Sequence, residues 1–94
     1  MSFSDRGMPT HQELVLPVLQ AVKNLGGTAR SREVVDEVIS LLPNSDALIE
    51  ISYPNRPNVS VLRDRTEWGR STAKLVGGLE QPNRGMYMLT DFGE

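Results

Sequence analysis

The sequence predicts a mainly α-helical domain with a small β-hairpin, and three observations carry that expectation. Apolar residues recur at three- and four-residue spacing in three separate stretches, the period that gathers side chains on one face of a helix. Paired glycines or a proline close each stretch, as helix-ending chemistry requires. After the third stretch, Pro82, Asn83, Arg84 and Gly85 separate two short extended segments in the manner of a hairpin turn.

The 94 residues suffice for one domain with a modest core and are too few for a second core beside it. Residues 1–9 are small, polar and interrupted by glycine and proline, so they read as a flexible leader before a folded domain over residues 10–94. Thr10 and Glu13 have capping-box spacing at the start of a first helix, each side chain serving a free amide hydrogen. Leu14, Val15, Val18, Leu19, Val22 and Leu25 form its apolar stripe, and Gly26 and Gly27 end it. Pro17 lies inside that stripe, which predicts a kink or a delayed helix start.

Thr28 to Arg30 read as a minimal strand, and Ser31 as the cap of a second helix. That helix carries Val34, Val35, Val38, Ile39 and Leu42 and stops at Pro43 and Asn44. Residues 45–50 permit one more helical turn, and Tyr53 to Asn58 read as a long exposed loop rich in turn residues. The third helix is expected over residues 61–76. Its apolar or large positions Val61, Leu62, Arg65, Trp68, Thr72, Leu75 and Val76 are assigned to one inward face. On that assignment Trp68 belongs to the core and Arg65 pairs with a nearby carboxylate, while Arg63, Glu67, Arg70, Ser71 and Lys74 lie outward. The hairpin follows over residues 79–89, with Met86 and Met88 alternating against Tyr87 and Leu89.

Helix, strand, helix, loop, helix and hairpin in that order are the plan of a winged helix-turn-helix, the hairpin being the wing. In such domains the later helix enters the major groove of DNA, whose width of about 12 Å admits it. The chain is net acidic at −2, which argues against a uniformly basic nucleic-acid binder, yet the charge is unevenly spread. Between Arg56 and Arg84 six basic residues oppose three acidic ones, a local +3 that leaves −5 for the rest. Absence of cysteine and a single histidine, His11, exclude a disulfide framework and make a zinc site implausible. No apolar run approaches the roughly 20 residues of a membrane span, and the N-terminus lacks an apolar signal core. A cytoplasmic protein without a cofactor is expected.

Two segments carry a family resemblance: MPTHQELVLPVLQAV at residues 8–22 and RDRTEWGRSTAKLVGGLEQPNRGMYMLTDFG at residues 63–93. They resemble the N-terminal domain of Mrr-type restriction proteins. The most specific pieces are Leu16-Pro17, Arg65 three residues before Trp68, Arg84-Gly85 and Leu89-Thr90. Gly69 stands where the family often has alanine, and the Gly77-Gly78-Leu79 run where alanine-glycine-leucine is usual. The resemblance implies a winged helix excised from a longer protein, with a separate C-terminal nuclease domain that cleaves DNA carrying methylated adenine or cytosine. Such cleavage needs clustered acidic metal ligands and a lysine on another sheet, whereas the carboxylates here are scattered. No catalysis by this chain is expected.

The DNA contacts expected are therefore Arg63, Arg70, Ser71 and Lys74 on the third helix and Asn83 and Arg84 at the wing. Arginine forks onto guanine, lysine and serine hold phosphates, and a wing-tip arginine reaches backbone or minor groove. Double-stranded DNA, methylated or not, is the expected partner, with a homo-oligomer left open. The rival reading is a winged helix used for protein interaction or dimerisation, favoured by the net negative charge. A transcription regulator is a third, related one.

Overall fold

The computed structural model describes residues 7–90. In chain order these form α1 (Val15–Asn24), β1 (Thr28–Arg30), α2 (Ser31–Leu41), α3 (Ser45–Leu48), β2 (Ser52–Tyr53), β3 (Arg56–Ser60), α4 (Val61–Leu75), β4 (Leu79–Glu80) and β5 (Met86–Leu89). The strands β1, β5 and β4 make an antiparallel sheet with β5 central, Ala29 opposite Tyr87 and Leu79 opposite Leu89. Three long helices packed on this sheet give an α+β, winged-helix-like fold, with β4–β5 as the wing.

The capping box forms as its spacing predicts. The Thr10 amide donates to Glu13 Oε1 at 3.1 Å, and the Glu13 amide donates to Thr10 Oγ1 at 3.2 Å. Regular helix nevertheless waits until Val15, after tight turns in which the Leu14 and Val15 amides meet the His11 and Gln12 carbonyls at 3.3 Å. Pro17 thereby becomes the third helical residue, where a missing amide hydrogen leaves no helical bond unmade. The proline delays the helix and does not kink it.

The main core joins Leu14, Val18 and Val22 to Val34 and Val38 of α2 and to Leu79 and Tyr87 of the sheet. A second cluster joins Met8, Leu48, Val61 and Leu62, with Ile39, Leu42, Ile49 and Ile51 packed against it. Met8, expected in a loose leader, is only 2% exposed; residues 1–6 of that leader lie outside the described residues.

The helical turn permitted over residues 45–50 is α3, whereas the stretch from Tyr53 to Asn58 read as a long exposed loop is a hairpin, β2–β3. Tyr53 pairs with Arg56 across the turn residues Pro54 and Asn55, and Ser52 pairs with Ser60. Of the dense turn chemistry only Pro54 and Asn55 form the turn, and Pro57 and Asn58 lie in β3. Its base is tied down by the Ser60 hydroxyl, which donates to the Ile49 carbonyl at 2.8 Å, and by the Val61 amide, which donates to Ile51 at 2.9 Å.

Helix α4 corrects the expected inward face. Its buried residues are Val61, Leu62, Thr66, Gly69 and Ala73, whereas Trp68 is 59% exposed and Leu75 86% exposed. Small residues at helical spacing let α4 settle close against α1, and that contact sets the rotation of the helix more than the bulk of its apolar side chains does. Thr66 is accommodated because its hydroxyl donates to the Leu62 carbonyl at 2.7 Å. The approach is tight at Gly69, where a Cβ would lie 3.1 Å from both the His11 carbonyl oxygen and Leu14 Cβ. At the helix end, Gly77 with φ 84° turns the chain, so that the Gly78 amide reaches the Ala73 carbonyl at 2.9 Å.

A branched side chain at Gly69 has no room between α4 and α1. Gly69→Val is expected to destabilise the domain by about 1–3 kcal/mol, the usual cost of overpacking. Chemical denaturation checks this, and a midpoint equal to wild type would contradict the close-approach account.

Candidate nucleic-acid interface

Burial of the Leu62, Thr66, Gly69 and Ala73 edge turns the opposite arc of α4 outward. On the flank between that arc and the buried edge, Arg63, Arg70 and Lys74, seven and then four residues apart, fall within about 40° of one another at 3.6 residues per turn. This basic flank faces α2 and the wing, as the contacts of each residue show. Arg63 Nη1 donates to Asp36 Oδ1 of α2 at 3.1 Å, with both side chains about half exposed. An ion pair so open to solvent is weak, so Arg63 is readily released to a stronger anion. Lys74 Nζ donates to Gln81 Oε1 at 2.9 Å, a neutral partner that leaves the ammonium charge uncompensated.

Arg70 differs. Its Nη1 donates to the Ser31 carbonyl at 3.1 Å, and its guanidinium lies 4.9 Å from the centre of the Tyr87 ring. Its Nε is buried without a partner among the described residues. The residue expected to fork onto guanine is thus engaged in joining α4 to the start of α2 and to β5. The Ser31 amide meanwhile donates to the Gly85 carbonyl at 2.8 Å, fixing the wing turn on the same residue. Asn83 and Arg84 are exposed in that turn, and Ser71 is exposed on α4.

Two hollows flank Arg70. One, about 330 Å³, is lined by Ser31, Arg32, Val35, Arg63, Glu67 and Arg70; the other, also about 330 Å³, by Asp64, Glu67, Trp68, Arg70 and Ser71. A larger apolar depression of about 550 Å³ lies between α1 and the end of α2, among Leu16, Leu19, Leu41 and Leu42. It is away from the basic flank. Arg32 of α2 joins Arg63 and Arg70 in the first hollow. Trp68, assigned to the core, borders the second. The spacing of Thr66, Gly69 and Ala73 was the signal for its exposure.

Asp64 is turned towards the inserted hairpin, accepting a hydrogen bond from the Tyr53 hydroxyl at 2.7 Å. Burial first, then this carboxylate, push the Tyr53 phenol above its ordinary pKa, while Arg65 acts in the opposite sense. Arg65, expected to meet a carboxylate, also donates from Nη1 to the Pro9 carbonyl at 3.1 Å, holding the segment that carries Met8. Among the described residues no group of three or more His, Asp or Glu is placed to hold a metal ion, and no helix is long and apolar enough to cross a membrane.

Fold and surface together define a class: a small winged-helix-like domain that presents the basic flank of its longest helix beside its wing. A family model, the Mrr N-terminal domain, matches residues 11–94, and the chain belongs to that family. It is an N-terminal domain of the Mrr-type restriction proteins, the non-catalytic region of those proteins. Neither the curated proteins nor the solved structures contain a match.

Because Arg70 links three elements, Arg70→Ala is expected to lower stability by about 1–2 kcal/mol through the lost carbonyl and ring contacts. For a domain of this size that corresponds to a fall in Tm of roughly 5–15 °C. Thermal unfolding followed by circular dichroism measures it; an unchanged Tm would mean that the linkage is dispensable.

Proposed function

We propose that the domain is the DNA-binding specificity module of a Mrr-type restriction protein, acting in the cytoplasm and directing a nuclease domain of the parent protein. Helix α4 lies in the major groove, and the β4–β5 wing tracks the adjacent backbone. The observation that carries this reading is the basic flank Arg63, Arg70 and Lys74, which continues into Arg32 at the first turn of α2 on a chain that is acidic overall. The amino end of a helix favours anions, so a phosphate beside Arg32 and Arg63 meets two mobile cations and a favourable dipole. Arg84 supplies a further cation at the exposed wing turn. In this arrangement Arg63, Lys74 and Arg84 bind backbone phosphates, Ser71 and Asn83 assist them, and Arg70 holds the reading helix in register with the wing.

Leu75 and Val76, exposed side by side at the end of α4, favour the second reading, a protein-interaction surface. A titration with random-sequence duplex over a salt series distinguishes the two. Each phosphate contact contributes about one unit to the slope of log affinity against log salt. Arg63→Ala, Lys74→Ala and Arg84→Ala are each expected to flatten the slope by about that amount without altering thermal stability. Slopes identical to wild type in all three would remove these residues from the interface. No duplex binding at low salt, together with a concentration-dependent dimer by light scattering, would favour the interaction surface.

A further inference from the structure

Resting on the DNA-binding reading above, we infer that the β2–β3 hairpin is a second wing, which binds the DNA backbone bordering the major groove on the side away from the β4–β5 wing. Arg56 is its cation, with the Asn55 and Asn58 carboxamides beside it. Residues 51–63 form a stretch without a single carboxylate, on a chain that has 12. The hairpin tip fills no part of the core: Pro54, Asn55, Arg56, Pro57 and Asn58 are all exposed. Among the described residues Arg56 has no carboxylate partner, and its guanidinium lies 4.8 Å from the centre of the Tyr53 ring. An aromatic face holds a cation in place without neutralising it, so the charge remains available to a phosphate.

Rigid mounting sets the hairpin apart from an ordinary surface loop. Pro54 and Pro57 restrict the backbone on either side of Asn55 and Arg56. The Tyr53 hydroxyl donates to Asp64 Oδ2 in the first turn of α4 at 2.7 Å, and the Val61 amide donates to the Ile51 carbonyl at 2.9 Å. The tip therefore keeps a fixed pose relative to α4, and a contact made by a preformed element costs little ordering entropy. Its place on α4 decides which backbone it meets. At 3.6 residues per turn, Asp64 stands about 100° around the helix from the mean direction of Arg63, Arg70 and Lys74, with Glu67 and Ser71 between. The basic flank adjoins α2 and the β4–β5 wing, while Asp64 carries the hairpin on the other side of the outward arc. A helix about 10–12 Å across with its side chains fills a major groove about 12 Å wide. Elements mounted on its two sides then come against the two backbones that border the groove, where such contacts fix the register of the helix.

The whole chain is titrated with random-sequence duplex over a salt series, and the backbone amides of isotope-labelled protein are followed by NMR with a short duplex. The amides of Asn55, Arg56 and Asn58 are expected to shift on binding together with those of Arg84 and Gly85. Arg56→Ala is expected to flatten the slope of log affinity against log salt by about one unit, and Arg56→Lys to retain the wild-type slope. Combined with Arg84→Ala, Arg56→Ala is expected to flatten it by about two units, because the two arginines meet different phosphates. Asn55→Asp places a carboxylate at a turn position that tolerates it and leaves the Arg56–Tyr53 contact in place, so it tests the tip independently. It is expected to weaken binding severalfold at low salt. Thermal unfolding of the free variants establishes that their folds are intact.

A wild-type slope in Arg56→Ala, undiminished affinity in Asn55→Asp, or hairpin amides that stay unmoved while those of the β4–β5 turn shift would overturn this inference and leave the DNA-binding reading standing. A double variant no flatter in slope than Arg84→Ala alone would do the same. Absence of duplex binding by the wild type at low salt would overturn both.

Discussion

Ser31 is the point on which the working surface depends. Its amide holds the wing turn through the Gly85 carbonyl, and its own carbonyl receives Arg70 of α4. The same arginine lies against Tyr87, a buried residue of the central strand. Three elements distant in sequence therefore meet through one main-chain hydrogen bond, one bond from a side chain to a main-chain carbonyl, and one ring contact. A helix can present its side chains to a groove in register with a wing only if their relative pose is fixed beforehand, and this junction fixes it. In the proposed DNA-binding role, Arg70 serves by setting the geometry for its neighbours.

Beneath the outer arc lies a second constraint, the close seating of α4 on α1. Thr66, Gly69 and Ala73 hold the helix by having little side chain to place. The same seating forces Trp68, Leu75 and Val76 outward and aligns Arg63, Arg70 and Lys74 along the flank towards α2. Charge on the surface is thus a consequence of size in the interior.

Much of the fold was legible in the sequence because its punctuation is local. Paired glycines and Pro43 mark ends that the structure reproduces closely, with α4 ending at Leu75 where residue 76 was expected, whereas α1 starts at Val15, beyond the Thr10 cap, and Arg30 in place of Ser31 caps α2. The outward placement of Arg63, Ser71 and Lys74 followed from the same periodicity. What escaped depends on contacts between distant residues. The rotation of α4 is decided by the shape of α1, so an apolar stripe weighted by bulk selected Trp68 wrongly. The β2–β3 hairpin has polar strands and a proline, Pro57, and offers no apolar alternation to detect. Arg70 reaches a main-chain carbonyl 39 residues away, and a bond to the backbone leaves no trace in the identity of its partner.

Under the DNA-binding role proposed above, the division of labour within α4 bears on how specificity changes over generations. Residues that seal the interior and residues that meet solvent occupy separate edges of one helix, and the sealing set is already small and tightly seated. Substitutions at positions 67, 68 and 71 alter what the helix displays without opening a void beneath it, so variants there are filtered by their ligand more than by their folding. Position 70 is the exception, since exchanging it disturbs the wing as well. The domain can therefore drift in what it recognises by small, separable steps while its architecture stays put.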